Sequence, residues 1–394
     1  MTTRTTPSAK PRGTLDALTK LVLRNTIRNP MRFVGLILLG YIAFIALSNI
    51  IAGEYTLELF VRQLIFGLSQ GSIYALIALG YTLVYGILFM INFAHGEIFM
   101  AGAYFGFFAL YAMGESGLLE SQTALALVLA VVIGALGSAT VAVLLERIAY
   151  RPLRNAPRLV PLITAIGASI TLQQLFLRLF GASARRYPDV SLYVLPDVFK
   201  TLECSVVDGA EVCLGMDLIR GLYTVDVLGL TLRLRPITFI VFFISLALMG
   251  ALWFIIQRTK TGRAMRAVAE DKSTSLLMGI NVDRVIVTTF ILGALLAGAG
   301  GVLFALIPGN GQITPTMGFL PGIKAFTAAV VGGIGNIPGA MFGGLFLGVI
   351  ESIGPSLLGL DHQLRDVIAF GMLVFVLIFR PTGIFGEILS DKKV

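Results

Sequence analysis

Long apolar runs separated by short polar segments dominate the chain. Eight long runs contain no charged residue, and a shorter one follows: 33–52, 63–94, 98–114, 123–145, 159–177, 239–256, 285–307, 325–350 and then 367–379. A membrane-spanning helix needs about 20 mainly apolar residues. None of the runs alternates apolar and polar residues as the strands of a membrane β-barrel do. The pattern predicts an all-α polytopic membrane protein with about eight or nine transmembrane helices.

Two of these runs are too long or too rich in helix breakers for one regular span. Run 63–94 predicts a full helix plus a short return into "INFAH". Run 325–350 contains "VVGGIGNIPGAMFGG" at its centre, which predicts a broken or re-entrant segment. Irregular backbone at membrane depth survives only where protein or a water-filled cavity satisfies it, and paired broken segments point to a translocation site. The candidate pathway or helix-break residues are Asn92, His95, Glu97, Asn336 and Pro338.

Charge sets the orientation of this chain and excludes one class of partner. The chain is 56% hydrophobic and only 13% charged, with a formal net charge of +8. Basic residues concentrate in 1–32, 146–158 and 257–284, between the apolar runs rather than on one folded face. By the positive-inside rule these segments lie in the cytoplasm, which predicts a multi-pass membrane protein with a cytoplasmic N-terminus. The basic charge therefore indicates membrane lipid, and not nucleic acid, as the partner.

The first apolar run predicts a retained helix. It exceeds the apolar core of a typical secretory signal, which is about 7–15 residues long. Residues 1–56 are thus expected to form a basic cytoplasmic N-terminus and one transmembrane helix, ahead of a main domain at 57–394.

The segment 181–236 is predicted to lie outside the membrane on the extracytoplasmic side. Its Asp208-Gly209 pair is a strong two-residue hairpin signal. With that turn, Cys204 faces Cys213 at a non-hydrogen-bonded position, where Cα atoms approach to about 4.5 Å. This separation suits a disulfide, so a β-hairpin with a Cys204–Cys213 bridge is expected. The alternative is two free thiols.

The stretch "INFAHGEIFMAGAYFG" places three polar side chains at the edge of a membrane run. Glu97 in the first turn of a helix would be favoured by the helix dipole, and Asn92 could satisfy backbone groups at the break. A capping and bracing role is therefore one interpretation, and direct substrate contact is another. A self-contained secondary transporter or channel, with His95 and Glu97 relaying protons, and an intramembrane enzyme using His95 are further alternatives.

The basic segment 257–284 predicts a short cytoplasmic helix. Residues 264–277 are rich in helix formers and end near Gly279, a typical C-terminal residue. Such a helix, held between two membrane helices, could dock into another protein, or it could be a solvated connector.

Three long motifs carry a family resemblance: "GLSQGSIYALIALGYTLVYGILFMINFAHGEIFMAGAY", "AEDKSTSLLMGINVDRV" and "GIKAFTAAVVGGIGNIPGAMFGGLFLG". They resemble the permease subunits of branched-chain amino acid ABC importers, and most closely the first of the two sister permeases. The resemblance implies a sister permease, two ATPase subunits and an extracytoplasmic solute-binding protein as partners. It implies no cofactor in this chain and ATP use by the partner subunits, which agrees with the absence of a P-loop motif.

The same resemblance implies that 258–284 contacts the ATPase. Glu270 and Gly279 occupy motif positions of the coupling helix, and Arg263, Arg266 and Asp271 complete the candidate set. The expected function is therefore that of a non-enzymatic permease moving branched-chain or other neutral amino acids by alternating access. Similar permeases serve urea and short amides, so that substrate class is the alternative. The first helix and the long 181–236 segment depart from the family pattern.

Overall fold

The protein is described by a computed structural model covering residues 30–386. The description leaves out 54, 155, 158, 189, 195–203, 208–209, 214–215, 228–229, 311 and 381, and the side chains of 30–39, 193–216, 226–230 and 362.

Helices account for nearly all of the membrane region. In chain order they are α1 (Pro30–Ile51), α2 (Leu57–Leu88), α3 (His95–Glu115), α4 (Leu118–Ser121), α5 (Thr123–Leu145), α6 (Leu159–Phe180), α7 (Pro236–Arg258), α8 (Lys260–Glu270), α9 (Lys272–Leu277), α10 (Val282–Leu306), α11 (Phe319–Gly332), α12 (Ile337–Leu357) and α13 (Arg365–Phe379). A π-helical turn (Glu146–Tyr150) and a 3₁₀ turn (Arg151–Leu153) extend α5, and a second 3₁₀ turn (His362–Leu364) precedes α13.

Seven of the described helices are long and apolar enough to cross a membrane: α2, α3, α5 with its extension, α6, α7, α10 and α12. Shorter apolar helices occur at Gly40–Ile51 and in α11. The polytopic helical class is confirmed. The expected break in 325–350 is also present, because α11 ends at Gly332 and α12 begins at Ile337.

The core is built around α2. This helix contacts α7, α10, α11 and α12, and α3 packs between α5 and α10. Close helix approach explains the arrangement, since small residues let backbones meet in a membrane. A Cβ on Gly102 would lie 2.4 Å from the Gly298 Cα, so α3 and α10 touch through their main chains.

Segment 181–236, together with residues 312–313, forms short strand pairs. The strands are β1 (Arg185–Arg186), β2 (Tyr193–Val194), β3 (Cys204–Val207), β4 (Ala210–Cys213), β5 (Met216–Asp217), β6 (Tyr223–Val227), β7 (Leu230–Leu234) and β8 (Gln312–Ile313). They pair antiparallel as β1 with β8, β2 with β5, β3 with β4 and β6 with β7. In the β3–β4 pair Cys204 faces Cys213, so the predicted hairpin register is confirmed. The turn residues and both sulfur atoms lie outside the described parts, so the disulfide stays a prediction.

Candidate functional site

The first helix break lies at 89–94, between α2 and α3. Helix α2 runs for 32 residues without interruption, and it ends where Phe89 adopts a left-handed conformation with φ of 54°. At 1.5 Å per residue the helix is about 48 Å long, longer than a bilayer core. The expectation of a full span followed by a short return inside 63–94 is therefore wrong in detail. The whole segment to Leu88 is one long helix, since it contains no proline and Gly67, Gly71 and Gly80 pack closely against neighbouring segments.

Asn92 lies in this break and is 1% exposed. Its side-chain oxygen accepts a hydrogen bond of 2.5 Å from the hydroxyl of Tyr150, in the π-helical turn after α5. The proposed capping role of its side chain is absent, because only the main-chain oxygen of Asn92 accepts a bond from the His95 N–H. The Asn92 side chain thus joins the break to a distant turn.

His95 is the first residue of α3 and is 2% exposed. Its ring lies against α2: a Cβ on Gly80 would fall 1.9 Å from the His95 Nε2. The Tyr81 ring meets the His95 ring edge-on, with centroids 5.1 Å apart. Only glycine at position 80 leaves room for this ring, so the histidine fills a gap between two helices.

Glu97 lies in the first turn of α3, as expected, and is 1% exposed. Its Oε1 accepts hydrogen bonds from the Ser169 Oγ at 3.1 Å and from the Gln173 Nε2 at 2.7 Å, both on α6. Its Oε2 has no hydrogen-bond partner within the described residues. The carboxylate therefore links α3 to α6.

The three side chains contact different helices, and they line neither the cavity beside Tyr187 and Ile219 nor the one beside Gln63 and Glu351. That part of the chain also contains no cluster of three or more His, Cys, Asp or Glu residues able to hold a metal ion.

The second helix break separates α11 from α12, and its last residues form the start of α12. Asn336 caps α12 by accepting a 3.0 Å bond from the Gly339 N–H, and its side-chain amide donates to the Phe385 carbonyl at 3.0 Å. Pro338 occupies the first turn of α12, where a missing N–H costs no helical bond. These residues shape the break and tie it to the segment after α13.

A buried charge cluster that the sequence did not predict lies between the N-terminal half of α11 and the C-terminal half of α12. Lys324 is 4% exposed, and its Nζ lies 2.6 Å from the Glu351 Oε1 and 2.6 Å from the Asp366 Oδ1. Glu351 lies within α12 and is 6% exposed. The sequence feature that could have indicated this cluster is Lys324 itself, the single charged residue of α11.

Segment 257–284 forms two helices where one was expected. Asp271 ends α8 in extended conformation and caps α9, accepting bonds from the N–H groups of Ser273 (2.8 Å) and Thr274 (3.2 Å). Their two hydroxyls also donate to it. These hydrogen bonds hold the pKa of Asp271 well below its usual range. The continuous helix over 264–277 is therefore wrong, because an aspartate cap favours a new helix start over continuation.

The remaining candidate coupling residues surround this two-helix unit. Arg266 donates to the main-chain oxygen of Ile256 at 2.5 Å, which fixes α8 to the end of α7. Arg263 and Glu270 are exposed. Gly279 ends α9 with φ of +80°, as its expected role requires. The residues just before it present an exposed apolar tip: Leu276 (59%), Leu277 (87%) and Met278 (78%).

An ion-pair network that the sequence did not predict lies beside this two-helix unit. The Arg154 guanidinium contacts both Glu146, which is fully buried, and Asp283 in the first turn of α10. Arg151 adds a 3.1 Å contact to Asp283. Burial, and then the nearby Arg154 charge, lower the pKa of Lys272 in α9. The network connects the turn after α5 to the start of α10.

Comparison with known proteins identifies the family. The chain matches the family described as "Branched-chain amino acid transport system / permease component" over residues 63–377. It belongs to this permease family. A relative from Pseudomonas aeruginosa, the high-affinity branched-chain amino acid transport system permease protein BraD, is 42% identical over 84% of this chain and 98% of its own length. LivH of Escherichia coli, described in the same words, is 41% identical over 84% of this chain and 97% of its own.

More distant permeases match only in part. The fructose import permease protein FrcC of Rhizobium meliloti is 34% identical over 34% of this chain and 38% of its own length. No solved structure gives a significant match. The family match begins at residue 63, so α1 precedes the part that this permease shares with its family.

Proposed function

We propose that this chain is the membrane permease of an ATP-driven importer for branched-chain or other neutral amino acids. The observation that carries the proposal is the 42% identity to a branched-chain amino acid permease along nearly that protein's whole length. The chain is expected to pair with a sister permease and two ATPase subunits, and to receive solute from an extracytoplasmic binding protein. It would hold no cofactor, catalyse no reaction and sit in the plasma membrane of a bacterium with its N-terminus in the cytoplasm.

The two-helix unit α8–α9 supports ATPase coupling. Its apolar tip is the sort of surface that a partner's groove buries, because Leu277 is 87% exposed and lies outside the seven membrane-spanning helices. Asp271, Arg266 and Gly279 give the unit a fixed shape at both ends. Closure of the ATPase dimer on ATP would move this unit, and α7 and α10 would carry the movement into the membrane.

The polar residues of the first break have a supporting role in this proposal. Asn92, His95 and Glu97 brace α3 against its neighbours, and they do not themselves touch solute. The alternating-access movement would use the two helix breaks as the points where backbone direction can change.

Reconstitution of the purified complex in liposomes, with the binding protein outside, tests the proposal. We expect uptake of leucine, isoleucine and valine that depends on ATP inside the vesicles. Uptake of urea instead would assign the chain to the amide importers, and uptake without ATPase subunits would show a self-contained transporter. Leu277→Asp should abolish uptake and release the ATPase subunits, whereas Leu360→Asp, an exposed apolar position in the link between α12 and α13, should leave both unchanged.

A further inference from the structure

A cavity of about 490 Å³ lies between the first turns of α2, the C-terminal half of α12 and the start of α7. This volume is within the range of small-molecule sites, roughly 300–1,000 Å³. Part of its wall is apolar, formed by Leu59, Phe66, Leu234 and Ile307. Four arginines also line it: Arg62, Arg233, Arg235 and Arg365. All four are exposed. Arg235 donates to the Pro308 carbonyl at 3.2 Å and Arg365 lies near Glu351, so Arg62 and Arg233 are the most open to an anionic group that enters.

The buried wall of the cavity carries the opposite charge. Glu351 lines it and is 6% exposed. Its Oε1 lies 2.6 Å from the Lys324 Nζ, but its Oε2 has no hydrogen-bond partner in the described structure. The Lys324 Nζ also lies 2.6 Å from the Asp366 Oδ1, so one buried ammonium group pairs with two carboxylates. Glu351 therefore keeps one oxygen that makes no hydrogen bond to a described residue, near the Tyr74 hydroxyl, where an unpaired oxygen is costly.

We propose that this cavity binds a zwitterionic α-amino acid, with its carboxylate at the arginines and its ammonium at Glu351. Arginines alone would accept any anion, but a buried carboxylate beside them repels a simple anion and attracts a group that also bears a cation. Arg365 is well placed between the two charges, since its Nε lies 3.7 Å from Glu351 while the side chain is 57% exposed. The apolar wall would receive an aliphatic side chain. This inference rests on the proposed function and names a site for its substrate.

A protein partner fits the cavity less well. An acidic side chain of a docking protein would be drawn to Arg62 and Arg233, but nothing in such contact would use the Glu351 oxygen. A small ligand with separate charges satisfies both walls at once. Docking by an acidic protein surface is therefore an outcome that the experiment must be able to show.

Saturation-transfer NMR on the intact transporter in nanodiscs, without the binding protein, measures ligand contact directly. Three probes differ by one group each: leucine, leucinamide (no carboxylate) and 4-methylpentanoate (no ammonium). We expect a saturable signal from leucine and about tenfold weaker binding of each analogue, because each loses one charge-assisted contact. Arg62→Gln and Glu351→Gln should each weaken leucine binding about tenfold in the same way.

Controls separate the possible failures. Arg178→Gln, an exposed arginine at the end of α6, should bind leucine as the wild type does. Arg62 is exposed, so its variant tests the site even if Glu351→Gln fails to assemble. If both cavity variants bind leucine normally, or if they weaken only the affinity for the binding protein, this inference is overturned while the proposed function stands. If the wild type takes up urea rather than amino acids, the proposed function itself fails.

Discussion

The hydroxyl of Tyr150 donates a hydrogen bond to the side-chain oxygen of Asn92, 2.5 Å away and 58 positions earlier in the chain. This bond joins the link between α2 and α3 to the turn after α5, and it is fully enclosed because both residues are at most 2% exposed. Tyr150 also lies beside Phe290 of α10, with ring centroids 5.6 Å apart. One residue pair thus connects three parts of the membrane domain.

Removing that donor should destabilise the protein. Tyr150→Phe leaves the Asn92 oxygen buried without a partner, which costs about 1–3 kcal/mol. We expect a lower thermal unfolding midpoint in detergent, with Tyr111→Phe as the control because Tyr111 is 54% exposed. A double variant with Asn92→Ala should cost less than the sum of the single changes. Additive effects would show that the bond contributes nothing.

Gly102→Ala should disturb the contact between α3 and α10. The added methyl would lie 2.4 Å from the Gly298 Cα, and backbone cannot move aside as a side chain can. Overpacking of this type costs about 1–3 kcal/mol, so expression and unfolding temperature should both fall. Gly250→Ala in α7 is the matched control, because no other atom lies within 4 Å of its added Cβ. Equal behaviour of the two variants would contradict the close approach.

Variants at Glu97 distinguish a bracing role from a charged one. Glu97→Gln keeps an oxygen that can accept the Ser169 and Gln173 bonds, so most of the transport activity should remain. Glu97→Leu removes the acceptor and leaves the Ser169 and Gln173 side chains without their hydrogen-bond partner, so assembly should fail. Loss of all transport in Glu97→Gln, with normal stability, would instead indicate that the negative charge handles substrate or protons.

The Asp271 cap should set the stability of α9. Asp271→Ala removes four hydrogen bonds, so amide exchange in 272–277 should become severalfold faster and ATP-driven uptake should drop. Asp271→Asn can still cap and should be close to the wild type.

The pKa shift at Asp271 adds a pH dependence to that cap. Because the pKa is lowered in the folded protein, the stabilisation is complete above the ordinary aspartate value and is lost only as the pH falls through the lower one. Slow exchange in 272–277 should therefore persist from neutral pH down to the ordinary aspartate pKa of about 3.9. Faster exchange already at mildly acid pH would contradict the hydrogen bonds described.

The Cys204–Cys213 bridge can be tested by thiol labelling. Purified protein should take up no maleimide until a reductant is added and then label at two sites, since the chain contains only 2 cysteines. The facing positions in the β3–β4 register make the bridge geometrically favourable. Two reactive thiols in the unreduced protein would refute it.

Much of this architecture could be predicted from the sequence because its causes are local. Apolar runs long enough to cross a bilayer determine the helices, and the Asn336–Pro338 signal determines where α12 begins. The Asp208-Gly209 sequence signal predicts a register that the β3–β4 pairing confirms. The error at 264–277 was also local in origin, since helix formers outweighed a cap signal that Asp271 supplies with its two following hydroxyl residues.

Tertiary structure alone decided which polar groups meet. Lys324, Glu351 and Asp366 come from three helices, and nothing in their sequence spacing brings them to 2.6 Å. The partners of Asn92, His95 and Glu97 likewise lie on α2, α6 and the turn after α5. The sequence by itself determined helices and their breaks through hydrophobicity and backbone preference over short distances. Charge pairing and cavity shape depend on helix packing, which brings together side chains hundreds of residues apart as readily as neighbours.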